Sequence, residues 1–177
     1  PKSQFGNTKP RVFRLEEDEA LINRLGFNNS GSEKVLSRIL KNNPKGFFGI
    51  NIGPNKNTED KVADYLECFK KFYDVCDYIT INISSPNTEN LRNFHNQDEL
   101  TNLLKQINVQ RKKLKPNLPI CVKISPDISD NQIDMICNIL LNEKIDAINI
   151  SNSSDSMRGN LKNANRLEKG GLSGKPI

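Results

Sequence analysis

The chain has 177 residues, of which 35% are hydrophobic and 27% charged, a balance that suits a globular domain with a sizeable core. The net charge is +5, but the lysines are scattered and only 6% of residues are aromatic, which argues against a nucleic-acid-binding module. No cysteine pair has the C-x-x-C spacing of a metal site, and no apolar run approaches the roughly 18 residues that a membrane span needs. We therefore expect neither a metal nor a nucleic acid as partner.

Four short runs rich in β-branched residues alternate with helical patterns along the chain. These runs are residues 47–52, 78–84, 119–124 and 146–151. The spacing of apolar residues predicts helices at 32–41, 58–73, 98–114 and 128–141, the last of which has a capping box from Ser129 to Gln132. Strands and helices that alternate at intervals of roughly 30 to 40 residues are typical of βαβ units and a parallel sheet.

One polar residue lies near the end of each predicted strand. Asn51, Asn82 and Lys123 each lie between two β-branched residues, and Ser151 follows Ile150. Because successive side chains of a strand point to opposite faces, the polar residues should share one face and the β-branched residues the other, under the helices. One polar residue per strand at one level is typical of the mouth of a (β/α)8 TIM barrel. The alternatives are that these residues only satisfy loop backbone, and that Lys123 extends into solvent.

The segment "NISSPNTENLRN", residues 82–93, contains a candidate acid–base residue. Pro86 disfavours helical geometry at Ser85, so this serine should be held extended at the tip of the strand. It has no His or Asp partner nearby in the sequence, which argues against a hydrolase triad. A neutral serine is a weak base and needs an acidified C–H group and a strong electron sink. The pattern therefore favours a redox cofactor over hydrolysis.

This segment closely resembles the active-site loop of dihydroorotate dehydrogenases, which are flavin enzymes of pyrimidine biosynthesis. Similar signatures of that family follow in the family's order, and together they span nearly the whole chain. They are "GNTKPRVFRLEEDEALINRLGFNN" (6–29), "GINIGPNK" (49–56), "VKISPD" (122–127), "INISNSS" (148–154) and "GGLSGKP" (170–176). The resemblance implies oxidation of (S)-dihydroorotate to orotate, with FMN as the hydride acceptor.

Two features resemble the quinone-linked, membrane-associated branch of the family. The cytosolic branch has a cysteine base in this loop, whereas this chain has Ser85. The segment "KPRVFR" is similar to the part of the quinone-linked branch that lines its quinone tunnel, with Arg14 as the tunnel arginine. The resemblance thus implies a quinone as electron acceptor. It also implies a location at the bacterial cytoplasmic or mitochondrial inner membrane, reached through an N-terminal segment.

The resemblance also implies roles for individual residues. Ser85 would take a proton from C5 of dihydroorotate while C6 gives a hydride to N5 of FMN, and Thr88 and Phe27 would lie in the proton-relay region. Substrate contacts would come from Asn23, Arg24, Leu25, Gly26, Phe27, Asn82, Asn87, Asn152 and Ser153. Cofactor contacts would come from Asn51, Asn82, Lys123, Ser151 and Gly174. Gly26 would allow close approach of the backbone, and the Lys123 cation would stabilise the reduced flavin.

By the same resemblance, residues 1–177 are a partial TIM-barrel catalytic domain that covers about strands three to six. The membrane-associated N-terminal helices and the C-terminal barrel strands would lie outside this segment, so we expect the segment alone to bind FMN weakly and to be inactive. Two alternatives stay open. One is another FMN barrel, such as a dihydropyrimidine or tRNA-dihydrouridine reductase, and the other is a non-catalytic barrel module that binds RNA.

Overall fold

The computed structural model describes residues 1–85 and 91–177 and contains seven strands and four α-helices in those ranges. In chain order they are β1 (Val12–Leu15), β2 (Ala20–Asn23), α1 (Ser32–Asn42), β3 (Gly49–Ile52), α2 (Lys61–Phe72), β4 (Tyr78–Asn82), α3 (Gln97–Leu114), β5 (Ile120–Lys123), α4 (Asp130–Asn142), β6 (Ala147–Asn149) and β7 (Gly171–Gly174). Across the described ranges, every helix is too short or too polar to cross a bilayer.

Strands β3, β4, β5 and β6 form one parallel sheet in which neighbours in the chain are neighbours in space. The helices α2, α3 and α4 connect successive strands, as the alternating pattern predicts. All four predicted helices and all four predicted strands are present, with ends within about three residues of the predicted ones. The capping box at the start of α4 is confirmed, because the side chains of Ser129 and Gln132 each accept from the other residue's backbone N–H. We call β3–β6 with α1–α4 the half-barrel.

The apolar core of the half-barrel lies between the sheet and its helices. Ile79 and Ile81 of β4 are fully buried against a cluster that includes Phe69 of α2 and Leu104 of α3. The predicted burial of β-branched residues under the helices is thus confirmed for β4. It is wrong for β6, where Ile150, just past the strand end, is 76% exposed. Within the described ranges, the chain runs from β6 into a loop and β7 rather than into a covering helix.

A second, antiparallel sheet was not predicted. It has the order β1–β2–β7, with Val12 opposite Asn23 and Ala20 opposite Gly174. We call these three strands and the segment 155–170 the cap. Its apolar core consists of a few side chains only, namely Leu15, Ile22, Leu161 and Leu172, with Phe13 and Ala20 packed against them.

Candidate active site

The predicted polar face of the parallel sheet is confirmed by the strand register. Asn82 of β4 lies directly opposite Lys123 of β5, and Lys123 lies opposite Asn149 of β6. Asn51 of β3 lies opposite Thr80, which has the same parity as Asn82. Paired residues of parallel strands point to the same face of the sheet. Asn51, Asn82 and Lys123 therefore share one face, and Thr80 and Asn149 join them.

The expectation that these polar residues lie at one level is wrong. Asn51 is paired with Thr80, two residues before Asn82, so it lies one pleat lower on the sheet. Ser151 lies beyond Asn149, the last paired residue of β6, so the register does not give its height. Of the four predicted residues, Asn82 and Lys123 lie at the same height, and Asn149 continues their row on β6.

The end of β4 is a rigid support for the candidate base. Asn82 is 3% exposed, and its side-chain oxygen accepts hydrogen bonds from the backbone N–H and the hydroxyl of Ser84, at 3.2 and 3.0 Å. Its main-chain oxygen accepts from the Tyr65 hydroxyl of α2 at 2.5 Å. Burial raises the pKa of Tyr65 well above its usual value, so this hydroxyl stays protonated and donates. These contacts satisfy the polar groups of a buried strand end.

Ser85 follows this support and is itself 5% exposed. A position so poorly reached by bulk water suits a residue that moves a proton to or from a bound ligand. The other residues predicted in this segment, Asn87 and Thr88, lie outside the described residues. Their roles stay predictions.

A cavity of about 400 Å³ lies between β3 and the helices α1 and α2. Asn51, Asn82 and Phe27 are among the residues that line it, along with Gly53 just after β3. Apolar side chains of α1, α2 and β3 form most of its wall, among them those of Val35 and Phe72. An apolar cavity with a few convergent polar groups is typical of small-molecule sites.

The backbone from Arg24 to Phe27 forms a strap, which the N-terminal residues hold in place. Gln4 Nε2 donates to the Phe27 carbonyl at 3.0 Å, and the Asn7 N–H donates to the Leu25 carbonyl at 3.0 Å. Gly26 has a φ of 71°, and a Cβ at this position would lie 2.9 Å from the Asn7 backbone nitrogen. Gly26 thus allows the strap to pack closely against the Asn7 segment, and its close approach to a substrate stays a prediction.

Two predicted substrate contacts, Asn23 and Arg24, touch the cap in this structure. Asn23 Nδ2 donates to the Gly171 carbonyl at 3.5 Å. The Arg24 guanidinium lies 2.7 Å from the Glu168 carboxylate and 4.5 Å from the centre of the Phe13 ring. The geometry gives Arg24 a role in holding the strap to the cap. Contact of either side chain with a substrate stays a prediction.

The segment after β6 lies against the end of β5. The Asn152 N–H donates to the Ile124 carbonyl at 3.0 Å, and the Asn152 side-chain oxygen accepts from the Ser153 N–H at 2.9 Å. The Ser151 hydroxyl donates to the Asn152 carbonyl at 3.0 Å. All three residues are half-buried. The structure thus places Asn152 beside Ile124, one residue past the end of the strand that carries Lys123, with Ser151 and Ser153 on either side of Asn152 in the chain.

Gly174 and Arg14 both lie in the cap. Gly174 has a φ of 112°, and a Cβ there would lie 2.5 Å from the Glu19 carbonyl oxygen, so close packing beside β2 already requires glycine. Arg14 is an exposed residue of β1, opposite Leu21. The cofactor contact of Gly174 and the quinone contact of Arg14 stay predictions.

Sequence reasoning missed a cluster around Asp127. Its carboxylate accepts hydrogen bonds from the hydroxyls of Ser154 and Ser156 and from the Asp155 N–H, at 2.5, 2.6 and 2.9 Å. Burial opposes ionisation, but these three donors outweigh it and hold the pKa of Asp127 well below its usual range. The sequence offered a weak signal, since the acid of "VKISPD" could be paired with the serines of "INISNSS" only through the fold.

The assembled groups can bind a planar ring that carries carbonyl and N–H groups. Asparagine amides donate and accept, serine hydroxyls do both, and Lys123 supplies a fixed positive charge. A buried serine beside such groups can exchange a proton with the bound ring. Among the described residues, no group of three His, Cys, Asp or Glu side chains is placed to hold a metal ion.

Comparison with known proteins places this geometry in context. The sequence model of a family described as "Dihydroorotate dehydrogenase" matches residues 1–177. A protein of Idiomarina loihiensis named dihydroorotate dehydrogenase (quinone) is 44% identical over 183 residues, which cover 100% of this chain and 54% of that protein. A mitochondrial protein of the same name from Cyclocybe aegerita is 42% identical, with 100% of this chain and 56% of that protein covered.

The fold is also similar to a solved structure from Eimeria tenella, described as DHODH in complex with ferulenol. The TM-score is 0.94 at 32% sequence identity, and the alignment covers 100% of this chain and 54% of that one. The half-barrel is accordingly part of a (β/α)8 barrel, as predicted. The chain spans about half the length of the curated relatives it matches.

Proposed function

The chain belongs to the dihydroorotate dehydrogenase family, and we propose that it is part of an enzyme that oxidises (S)-dihydroorotate to orotate and reduces a quinone. The observation that carries this proposal is the direct pairing of Asn82 with Lys123, three residues before the buried Ser85. This pairing sets an amide, a fixed cation and a candidate base at one edge of the sheet. The names of the relatives favour this activity over the reductase and RNA-binding alternatives.

The cofactor of the proposed enzyme is a flavin, and specifically FMN. The polar face fits it, because Asn51, Asn82 and Lys123 offer donors and acceptors on one face of three neighbouring strands. Bound flavin supplies a hydride acceptor for C6 of the substrate. A cation fixed by the sheet at Lys123 stabilises negative charge that develops on a reduced ring. Ser151, half-buried just past β6, is a further proposed cofactor contact.

Ser85 is the proposed base that takes the proton from C5 of dihydroorotate. Its burial excludes water that would compete for the proton, and the bonded end of β4 holds its backbone in place. A serine becomes an effective base only where the C–H proton is acidified by the neighbouring carbonyl and by loss of hydride. Phe27, and Thr88 in the undescribed segment, complete the proposed proton-relay region.

The proposed substrate contacts come from the end of β4, from the segment after β6 and from the strap. Asn82, Asn152 and Ser153 carry side-chain groups that match the carbonyl and N–H pattern of a pyrimidine. Asn87, Asn23 and the strap residues from Arg24 to Phe27 complete the set. The strap supports this role because Gln4 and Asn7 hold its Phe27 and Leu25 carbonyls, so its backbone is preorganised.

The proposed electron acceptor is a quinone, and the proposed location is a membrane surface. Arg14 on the exposed face of β1 would contact the quinone. The support for this step comes from the relatives, whose printed names include the word quinone. We propose that contact with the membrane is made by parts of the full-length protein outside this chain.

The test uses the full-length protein with dihydroorotate and a soluble short-chain quinone under anaerobic conditions. We expect dihydroorotate to bleach the flavin absorbance, and added quinone to restore it while orotate accumulates. Ser85→Ala should slow flavin bleaching by about 10²- to 10⁴-fold, the usual contribution of a general base. Ser85→Cys should retain part of the rate at high pH, because a thiol ionises more readily than a hydroxyl.

The matched control is Ser37→Ala, since Ser37 is an exposed serine of helix α1 away from the sheet edge. It should bleach at the wild-type rate. If Ser85→Ala also bleaches at the wild-type rate at neutral pH, Ser85 is not the base. If dihydroorotate never reduces the flavin of the wild type, the proposed activity is wrong.

A further inference from the structure

The Asp127 carboxylate joins two chain segments that meet beyond the sheet. Asp127 lies four residues after Lys123, and its N–H donates to the buried Ser125 hydroxyl at 3.1 Å. Its two oxygens accept from three donors of the neighbouring segment, Ser154, Asp155 and Ser156. One carboxylate thereby fixes the backbone of residues 154–156 against the end of β5.

Ser154 extends this connection to the cap. It is fully buried, and its backbone exchanges two hydrogen bonds with Leu172 of β7, at 2.9 and 2.6 Å. Its hydroxyl donates to Asp127 and accepts from the N–H groups of Ser156 and Met157, both at 3.1 Å. The hydroxyl is therefore at the centre of a small network that a single acid orients.

The network adjoins the proposed orotate contacts. Ser153 immediately precedes Ser154, and Asn152 is tied to β5 through the Ile124 carbonyl at 3.0 Å. Residues 152–153 thus lie between two held points, the bond from Asn152 to Ile124 on one side and Ser154 on the other. Loss of the Asp127 contacts would leave the backbone pairing of Ser154 with Leu172 but would release the Ser154 hydroxyl and the Asp155 N–H. The segment that orients Asn152 and Ser153 would therefore loosen.

We propose that Asp127 is a positioning residue that holds Asn152 and Ser153 in the geometry needed to bind the pyrimidine substrate. This role rests on the proposed function. Asp127 touches no substrate in it and acts only through the segment 154–156. Three donors directed at one carboxylate require an ionised acid, because an amide of the same size would turn an N–H group toward a donor.

The primary test compares Asp127→Asn with wild type in the full-length, flavin-loaded protein. We expect the Kd for orotate, measured by the shift in flavin absorbance, and the KM for dihydroorotate to rise about tenfold, as for loss of one charge-assisted hydrogen bond. The flavin content and the rate of flavin bleaching at saturating dihydroorotate should stay within about twofold of wild type. A role confined to folding would lower flavin content and thermal midpoint without changing the orotate affinity of the loaded fraction.

Two further variants keep the proposal open to refutation. Ser156→Ala removes an exposed donor of the network, leaves the buried Ser154 bond in place, and should raise the orotate Kd by about threefold. Asp134→Asn is the matched control, since Asp134 is an exposed acid of α4, and it should change nothing. If neither Asp127→Asn nor Ser156→Ala alters orotate affinity, the proposal is overturned.

A measurement without substrate separates this proposal from the proposed function. Amide hydrogen exchange of residues 151–157 should become at least tenfold faster in Asp127→Asn, because the Asp155 N–H loses its acceptor and the segment loses an anchor. Unchanged exchange would overturn the positioning role. The two proposals can also fail separately. If the wild type neither binds orotate nor oxidises dihydroorotate, but exchange is still faster in Asp127→Asn, the anchor is upheld and the function is rejected.

Discussion

In the half-barrel, helices α2, α3 and α4 press long apolar side chains onto one face of a parallel sheet, and the resulting core is continuous. In the cap, four buried side chains form the apolar core, and hydrogen bonds of charged side chains connect its segments. Asp18 accepts from the N–H groups of Lys162 and Asn163, and the Arg158 guanidinium donates to the carbonyls of Arg166, Glu168 and Gly170. The comparison teaches that the two regions should respond to different perturbations.

Apolar burial is indifferent to pH and only weakly sensitive to salt, whereas carboxylate contacts depend on pH and contacts between charged groups are weakened by salt. The half-barrel should therefore set the global stability of the protein. The cap should open first when charge is altered. Each prediction below probes one side of this contrast in the full-length protein.

The largest expected effect is that of Leu104→Ala in the half-barrel. Leu104 is fully buried in the continuous core, so we expect a loss of about 2–5 kcal/mol in the free energy of unfolding. Urea unfolding monitored by circular dichroism measures this loss. The matched variant is Leu172→Ala in the cap, which is equally buried but should raise hydrogen exchange mainly in β1, β2 and β7. Equal global losses in both variants would break the comparison.

Tyr65→Phe is the next largest and tests a polar contact inside the half-barrel. It removes the hydroxyl that donates to the Asn82 carbonyl and leaves the ring packed edge-on against Phe94 at 5.7 Å between ring centres. The expected cost is about 1 kcal/mol of unfolding free energy, together with faster exchange near the end of β4. Phe69→Leu, a buried change on the same helix without a hydroxyl, is the control for packing alone. If Tyr65→Phe changes neither the unfolding free energy nor the exchange near the end of β4, this strand end does not need its bond to α2.

Acidification tests the polar side of the comparison through Asp18. Hydrogen bonds from the Lys162 and Asn163 N–H groups lower the pKa of Asp18 below its usual value near 3.8. The contribution of Asp18 is therefore complete above about pH 4 and is lost as the pH falls through the lowered folded-state pKa. We expect the amide resonances of Lys162 and Asn163 to shift in that acidic range, and to be constant there in Asp18→Asn. If these amide resonances shift with pH in Asp18→Asn as they do in wild type, another acid causes the shift.

The smallest expected effect is that of Glu168→Gln. The Arg24–Glu168 pair is 2.7 Å long but its side chains are 27% and 38% exposed, so the pair should contribute about 0–1 kcal/mol. The stacking of Arg24 on Phe13 should survive the change. We expect a small rise in exchange of the strap at low salt that disappears at high salt. A large, salt-independent effect would show that the cap is held more tightly than its exposure indicates.

The half-barrel was predictable because its strands and helices have strong periodic patterns. β-branched runs such as 78–84 and the apolar spacing of 98–114 specify element type from local sequence alone. The cap was missed because β1, β2 and β7 lack the runs of β-branched residues that mark β3 to β6, and β7 contains two glycines. In addition, β7 meets β2 only after some 150 intervening residues, a pairing that no local pattern indicates.

The candidate site was predictable in part for the same reason. Strand parity placed Asn51, Asn82 and Lys123 on one face, since the alternation of side chains is a local property. The predicted height was wrong for Asn51, because strand register is set by how whole strands pair. The bond between Asp127 and Ser154 could not be foreseen, since it joins residues 27 apart that only the βαβ crossover brings together.

The sequence by itself determined the element types of the half-barrel, the polar face of its sheet and the position of Ser85 at a strand end. It did so because hydrogen bonding and side-chain direction within a strand or helix depend on near neighbours. Only the tertiary structure decided the cap, the lower position of Asn51 relative to Asn82, and the anchoring of residues 154–156 by Asp127. Those features depend on contacts between distant parts of the chain, which form only where strand register and crossover packing place them.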